Sequence, residues 1–194
     1  LNPPNTTLNL KCFIQGYWHD STGMLPVLAY QSEPTTANAC DSIDVELHDE
    51  NAPYSLMYSV RTVLNQDGTA TCIFPPISGN YFIAVKHRNA IQTWTSDPVT
   101  FGYLPANYDF STSFSQAFGD NQVEVAPGVW AFFSGDINQD ENIDLLDLGL
   151  LEIDISAFSF GYHPSDINGD GNVDLLDIPI LETNINDFIF SYHP

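Results

Sequence analysis

The sequence predicts a mainly β protein: an antiparallel β-sandwich over residues 1–134, followed by a small α-helical module over residues 135–194 that carries two acidic loops. Three observations lead there. Short runs rich in Val, Ile, Thr, Tyr and Phe, parted by turn residues, fill the first two thirds with almost no helical periodicity. At Gly135 the pattern changes abruptly, and "DINQDENIDLLD" (136–147) returns as "DINGDGNVDLLD" (166–177) with nine of twelve positions identical. A length of 194 residues with 43% hydrophobic content is ample for a packed core.

The strands follow in order. "LNLKCFIQGYW" alternates, with Leu8, Leu10, Cys12 and Ile14 on one face. "SIDVELHD" sets Ile43, Val45 and Leu47 against Asp44, Glu46 and His48. "YSLMYSVRTVL" meets "GTATCIF" through "NQDG", a hairpin turn signal. "GNYFIAVKHRN", "IQTWT" and "PVTFGY" continue the pattern, and "NQVEVAPGVWAFF" reads as the last strand. Seven or so such runs argue a sandwich of immunoglobulin-like type.

In the tail, each acidic loop is followed by an apolar run, "LLDLGLLEIDI" or "LLDIPILETNI", which reads as a short helix. Pro179 falls in the first turn of the second helix, where a missing N–H costs little. Each repeat closes on an aromatic tag, "FSFGYHP" (158–164) or "FIFSYHP" (188–194). Leu145, Leu146, Leu148 and Leu151, with Leu175, Leu176, Ile178 and Leu181, are apolar nearly all round, which predicts helices buried on each other and on the sandwich. With no Pro/Ser linker before Asp136, the two parts are expected to form one cooperative unit.

Counted from its first Asp, each loop places side-chain oxygens at positions 1, 3, 5, 9 and 12: Asp136, Asn138, Asp140, Asp144 and Asp147, then Asp166, Asn168, Asp170, Asp174 and Asp177. Position 7, Asn142 or Asn172, offers its backbone carbonyl, and position 8, Ile143 or Val173, faces inward. Hard oxygen donors at this spacing suit Ca²⁺; zinc would want Cys or His, and magnesium would keep more water. Two calcium ions are expected.

The segment from Asp136 to Pro194 resembles a dockerin, a duplicated calcium-loop-and-helix module of secreted bacterial proteins, through its two D-x-N-x-D-x-N-x-D-x-x-D loops with Asp at position 12. More loosely, "YFIAVKHRNAIQTWTSDPVTF" is similar to the immunoglobulin-like modules that precede such tails. The resemblance implies a secreted or cell-surface protein. In cohesin-binding dockerins, recognition residues at positions 10 and 11 are small and polar. Here they are Leu145-Leu146 and Leu175-Leu176, which the sequence assigns to the core. Position 6 is Gly171 in the second loop but Glu141 in the first, so the first site is expected to be weaker.

Charge narrows the partners. Only Lys11, Arg61, Lys86 and Arg88 oppose 25 acids, for a net charge of −21, and residues 136–194 hold thirteen of those acids and no Lys or Arg. That surface excludes nucleic acid and anionic membrane. No apolar run is long enough to span a bilayer. "LNPPNTTLNL" has no basic and apolar leader, so an export signal is expected upstream or already removed, and Asn5-Thr6-Thr7 matches a glycosylation sequon. Cys12, Cys40 and Cys72 allow one disulfide and one thiol, or three buried thiols.

His19, His48, His87, His163 and His193 lack a sequence-local nucleophile, so no enzyme is expected. The expected role is a calcium-stabilised structural or assembly unit, whose partner is another protein domain or further copies of itself; the N-terminal arm is held either by its own sandwich or by a neighbour's sheet edge, and the second course would build fibres. The alternative is a carbohydrate-binding or cohesin-docking module of a larger enzyme system. Tyr17, Trp18, Trp94 and Trp130 are the candidate platform for a polysaccharide.

Overall fold

The computed structural model describes residues 4–20, 23–31 and 35–194. Its strands are β1 (Thr6–Lys11), β2 (Trp18–His19), β3 (Gly23–Met24), β4 (Ala39–Asp49), β5 (Leu56–Asn65), β6 (Thr69–Phe74), β7 (Gly79–His87), β8 (Ala90–Trp94), β9 (Val99–Phe101), β10 (Ala106–Asp109), β11 (Val123–Ala126) and β12 (Val129–Ala131). Two helices follow, α1 (Leu145–Ser156) and α2 (Ile178–Asn186). The chain is thus mainly β, and among the described residues none of its helices is long and apolar enough to cross a membrane.

One sheet has the order β10-β1-β6, and the other runs β5-β4-β7-β8 with β9 added to β7. The alternation read from the sequence drives both. Leu8, Leu10, Cys12 and Ile14 turn inward from one sheet, Ile43, Val45, Leu47, Ile83 and Val85 from the other, and they meet in one core. Two details differ from expectation. The "NQDG" turn forms, with Asp67 Oδ1 accepting from Thr69 N at 3.0 Å, but β6 crosses to pair with β1 while β5 pairs with β4. Ala70, Cys72 and Phe74 all face the core from that opposite sheet, which fixes the crossing. "NQVEVAPGVWAFF" is a hairpin, β11 and β12, turning at Gly128 (φ 75°).

Of the two courses open to the arm, the structure has the one in which its own sandwich holds it. β1 is the middle strand of its own sheet, parallel to β10 and antiparallel to β6, so both its edges are already paired. A strand so held cannot be lent to a neighbouring copy; residues 1–3 of the arm lie outside the described residues. Of the cysteine alternatives, the structure has three free thiols, all buried. Burial pushes the Cys72 thiol up to about 12, and those of Cys12 and Cys40 upward as well, so they behave as small apolar groups.

The tail is stitched to the sandwich. Gly135 N donates to Asn89 O (2.6 Å), Asn184 Nδ2 to Ser134 O (2.6 Å), and Ser191 Oγ to Gln92 O (2.7 Å). Beneath these bonds Ile91 of β8 joins Ile143, Leu151, Ile167, Val173 and Leu181 in a second apolar cluster, with Phe133 against its edge. The inward-facing position 8 is therefore found, as Ile143 and Val173. α1 starts at an Asp144 cap closed by Asp147 in a reciprocal capping box. α2 starts later in its repeat, because Pro179 has no N–H to bond back to Leu175.

One expectation is overturned. Leu148, Leu151, Ile178 and Leu181 do pack inward, but Leu145, Leu146, Leu175 and Leu176 are 64–70% exposed. On α1 a flat core can bury one stripe only, the one containing Leu151, while Leu175 and Leu176 lie in the exposed turn before α2.

Candidate metal centre and docking face

The two acidic loops have the same internal wiring. Asp147 Oδ1 accepts from Ile137 N and Asn138 N at 2.8 and 3.1 Å, and Asp177 Oδ1 accepts from Ile167 N and Asn168 N at 2.7 and 3.0 Å. Their Oδ2 atoms accept from Asp144 N and Asp174 N, each at 2.9 Å. Successive side-chain oxygens then curl the chain: Asn138 Oδ1 takes Asp140 N, Asp140 Oδ1 takes Asn142 N, and Asn168 and Asp170 repeat both steps. The candidate ligands Asp136, Asn138, Asp140, Asn142, Asp144 and Asp147 therefore line one loop, and Asp166, Asn168, Asp170, Asn172, Asp174 and Asp177 the other.

Buried like charges make these loops costly when empty. Burial, then the neighbouring Asp147, push the Asp136 carboxyl up to about 7; burial, then Asp177, do the same to Asp166. Burial also raises Asp147 and Asp177. Among the described residues, no three His, Cys, Asp or Glu side chains form a metal-holding group by themselves, so a cation here would draw on the Asn oxygens and a carbonyl too. The residues fit one at the second loop. Asp166 is fully buried, its Oδ2 accepts from Gly171 N at 3.1 Å, and its Oδ1 has no hydrogen-bond partner. A buried carboxylate oxygen without a donor is expensive, and a hard cation is the partner that such an oxygen lacks.

The loops differ where the sequence said they would, and at one further place. Glu141 at position 6 sits at φ 71°, a left-handed conformation that costs a side chain energy, while Gly171 takes φ 85° freely. Position 4 repeats this contrast, Gln139 at φ 60° against Gly169 at φ 74°, a requirement that the spacing of acids alone does not reveal. The second loop also needs its glycines for space: a Cβ on Gly169 would lie 2.7 Å from the Tyr17 ring, and one on Gly171 would lie 2.8 Å from that of Tyr30.

The aromatic tags close each other's repeat. Asn142 bridges to Phe190 and Asn172 to Phe160, with Ile143 N donating to Ile189 O (2.9 Å) and Val173 N to Ser159 O (3.1 Å). Each loop is thus braced by the tag of the other repeat, in a two-fold exchange. Phe158 and Phe188 both sit at φ 55° with exposed rings, the same strained, outward residue in both repeats. On α1, Leu146, Leu150 and Ile153 are exposed at i, i+4 and i+7, a second apolar stripe opposite Leu148, Leu151 and Ile155.

The other candidates are absorbed by the fold. His48, His87, His163 and His193 face Glu46, Asp41, Asp154 and Glu141 at 3.1, 3.0, 3.8 and 3.5 Å. Tyr17 and Trp94 are buried, while Trp18, edge-on to Phe13, and Trp130, against Phe114, are half-buried, so two of the four rings are withdrawn from any platform.

No family model and no curated protein matches the sequence. Solved structures do match in fold. One is a chain in the crystal structure of a C-terminal interface mutant of the type II Cohesin-X-Dockerin complex from Acetivibrio cellulolyticus, with 16% identity and a TM-score of 0.54 over 93% of this chain and 95% of that one. Another belongs to the N-terminal interface mutant of the same type of complex, with 15% identity and a TM-score of 0.51 over 95% and 97%. At such identity the likeness is one of fold, and it agrees with the mainly β sandwich described above.

Proposed function

We propose that the chain is a non-catalytic docking module of an extracellular protein assembly, with a calcium-ordered tail whose outward apolar face receives a cohesin-type β-sandwich domain. The observation that carries this reading is the outward placement of Leu145, Leu146, Leu175 and Leu176 at equivalent positions of the two repeats. Leu145 and Leu146 open α1, Leu175 and Leu176 lie in the turn before α2, and both helices already pack an inner stripe against the core, so these side chains add nothing to it. Exposed apolar patches are a feature of surfaces that become covered on association. Positions 10 and 11 are also where the dockerin resemblance places recognition. The fold neighbours are chains of cohesin–dockerin complexes, and the match takes in 93% of this chain, the tail along with the sandwich.

In this reading Asp136, Asn138, Asp140, Asp144 and Asp147, with the carbonyl of Asn142, hold one calcium ion, and Asp166, Asn168, Asp170, Asp174 and Asp177, with that of Asn172, hold another. Each ion supplies positive charge to a segment with no Lys or Arg. The protein's own part is to keep Asp147 and Asp177 pinned to the loop backbone, so that the helices, and the leucines at their entrances, hold one orientation.

Size-exclusion chromatography with light scattering tests the reading, using the full chain mixed with purified type II cohesin domains. The expected result is a one-to-one complex in calcium that is lost in chelator and lost in the Leu146→Asp, Ile153→Asp double variant. A chain that stays free of every cohesin tried, or a double variant that docks as well as the native chain, would overturn it.

A further inference from the structure

The sandwich reaches into the tail through one two-residue turn, Arg88-Asn89, between β7 and β8. Asn89 is fully buried. Its carbonyl accepts from Gly135 N at 2.6 Å, and its side-chain amide donates to the Asp166 carbonyl at 2.9 Å and to the Tyr17 hydroxyl at 3.2 Å. Arg88 Nε donates to Asp41 Oδ2 at 2.9 Å, and the other guanidinium nitrogens donate to the His163 carbonyl and the Tyr17 hydroxyl. The guanidinium lies over the Tyr162 ring, 4.2 Å from its centre, and the Tyr162 hydroxyl donates to Asp41 Oδ1 at 2.6 Å. His87 Nε2 stands 3.0 Å from Asp41 Oδ2 and completes the network. The stretch 162–166, which leads into the second loop, is therefore tied to a carboxylate buried in the sandwich.

We infer that this turn is a positioning clamp: through Asn89 and Tyr17 the sandwich fixes the backbone at Asp166 before any cation arrives, which makes the second loop the tighter of the two calcium sites. The inference rests on the reading of the loops as calcium sites and adds to it which loop the sandwich serves and through which residues. Three features of the second loop agree. Asp166 keeps one buried oxygen unpartnered, whereas both Asp136 oxygens accept backbone N–H groups, from Asp140 at 3.2 Å and Glu141 at 3.3 Å. Tyr17, Val27 and Tyr30 press on Gly169 and Gly171 from below, while Asn138, Gln139 and Asp140 of the first loop are exposed. Asn89 meets the first loop through its main chain only, at Gly135, so its side chain acts on the second alone. A loop already ordered gives up less conformational freedom on binding, and that difference appears as affinity.

Calorimetric calcium titration of the full chain tests this in two backgrounds, Asp140→Ala to disable the first loop and Asp170→Ala to disable the second. Asn89→Ala is expected to weaken the second loop about tenfold, the effect of one buried hydrogen bond, and to leave the first unchanged. Tyr17→Phe, which keeps the packing and removes only the hydroxyl, is expected to weaken the second loop about threefold; it decides the matter if Asn89→Ala does not fold. Equal weakening of both loops, or of neither, overturns the clamp while leaving the calcium reading intact. A native chain that takes up no calcium overturns both.

Discussion

Leu146 and Leu151 lie five residues apart on α1 and face opposite ways, so truncating each to alanine should produce opposite phenotypes. Leu151 is fully buried between Ile91 of the sandwich and Ile143, Ile167, Val173 and Leu181 of the tail. Removing its isopropyl group leaves a cavity in a dry cluster, at a cost of about 3 kcal/mol. For a chain of this size that lowers the melting temperature by roughly 6–12 °C. Leu146 keeps most of its surface in water, so its truncation forfeits about 0.5 kcal/mol, or roughly 1–2 °C. Differential scanning calorimetry in calcium measures both, and a cohesin titration below the lower melting temperature measures docking. The expected pattern is Leu151→Ala unstable but competent to dock, and Leu146→Ala stable but weakened in docking. If Leu146→Ala lost as much stability as Leu151→Ala, the leucines at positions 10 and 11 would belong to a core, and the docking face would be refuted.

Further outcomes follow from strain and charge. Glu141→Gly relieves a left-handed φ worth about 1 kcal/mol and keeps the main-chain bond to Ser191, losing only a half-exposed contact with His193, so calcium affinity of the first loop should rise about threefold by calorimetric titration; an unchanged first loop would contradict the strain argument. Phe158→Gly and Phe188→Gly relieve the same strain at the helix ends and should raise the melting temperature by a few degrees, roughly 1 kcal/mol each; a fall instead would show that the rings pack in the folded chain. Burial alone would raise the Asp41 carboxyl, but His87, Arg88 and Tyr162 outweigh it and hold it well below the usual carboxylate range. A depressed folded-state pKa contributes stability that is complete above the unfolded value, about pH 4, and is lost as pH falls further. The gap in melting temperature between the native chain and Asp41→Asn should therefore be full at pH 6 and narrow below about pH 4; a gap independent of pH would show that the carboxylate's charge is irrelevant.

What the sequence made legible was what repeats or alternates. Leu8, Leu10, Cys12 and Ile14 had to share a face because the strand period is two, and they share the core. The twelve-residue loops announced themselves by duplication, and Glu141 in place of glycine marked a strained site in advance. The leucines defeated the reading because hydrophobicity is a property of the residue while burial is a property of the neighbourhood. α1 is apolar on two stripes, and no local pattern says which one meets the sandwich. The crossing of β6 was hidden for a related reason: a good turn fixes where the chain reverses, but the sheet is chosen by partners far away, here β1. The Arg88-Asn89 turn was invisible altogether, since its partners Tyr17, Asp41 and Asp166 come from three distant stretches.

The duplication explains the acids, and the divergence between the copies explains the rest. The second repeat has glycine at positions 4 and 6, which lets Tyr17 and Tyr30 of the sandwich approach its loop, and its helix carries Pro179 and Thr183 where the first has Gly149 and Ile153. The first repeat has Gln139 and Glu141, which hold its loop away from close packing, and its helix sets Leu146, Leu150 and Ile153 outward in an unbroken stripe. Anchoring favours small residues and a short, polar-backed helix, whereas presentation favours a longer helix with a second apolar face. Two identical repeats would satisfy neither demand well. In the proposed reading, substitution at these few positions divides the work: the second loop packs closest to Tyr17 and Tyr30 of the sandwich, and the first helix carries the longer outward stripe.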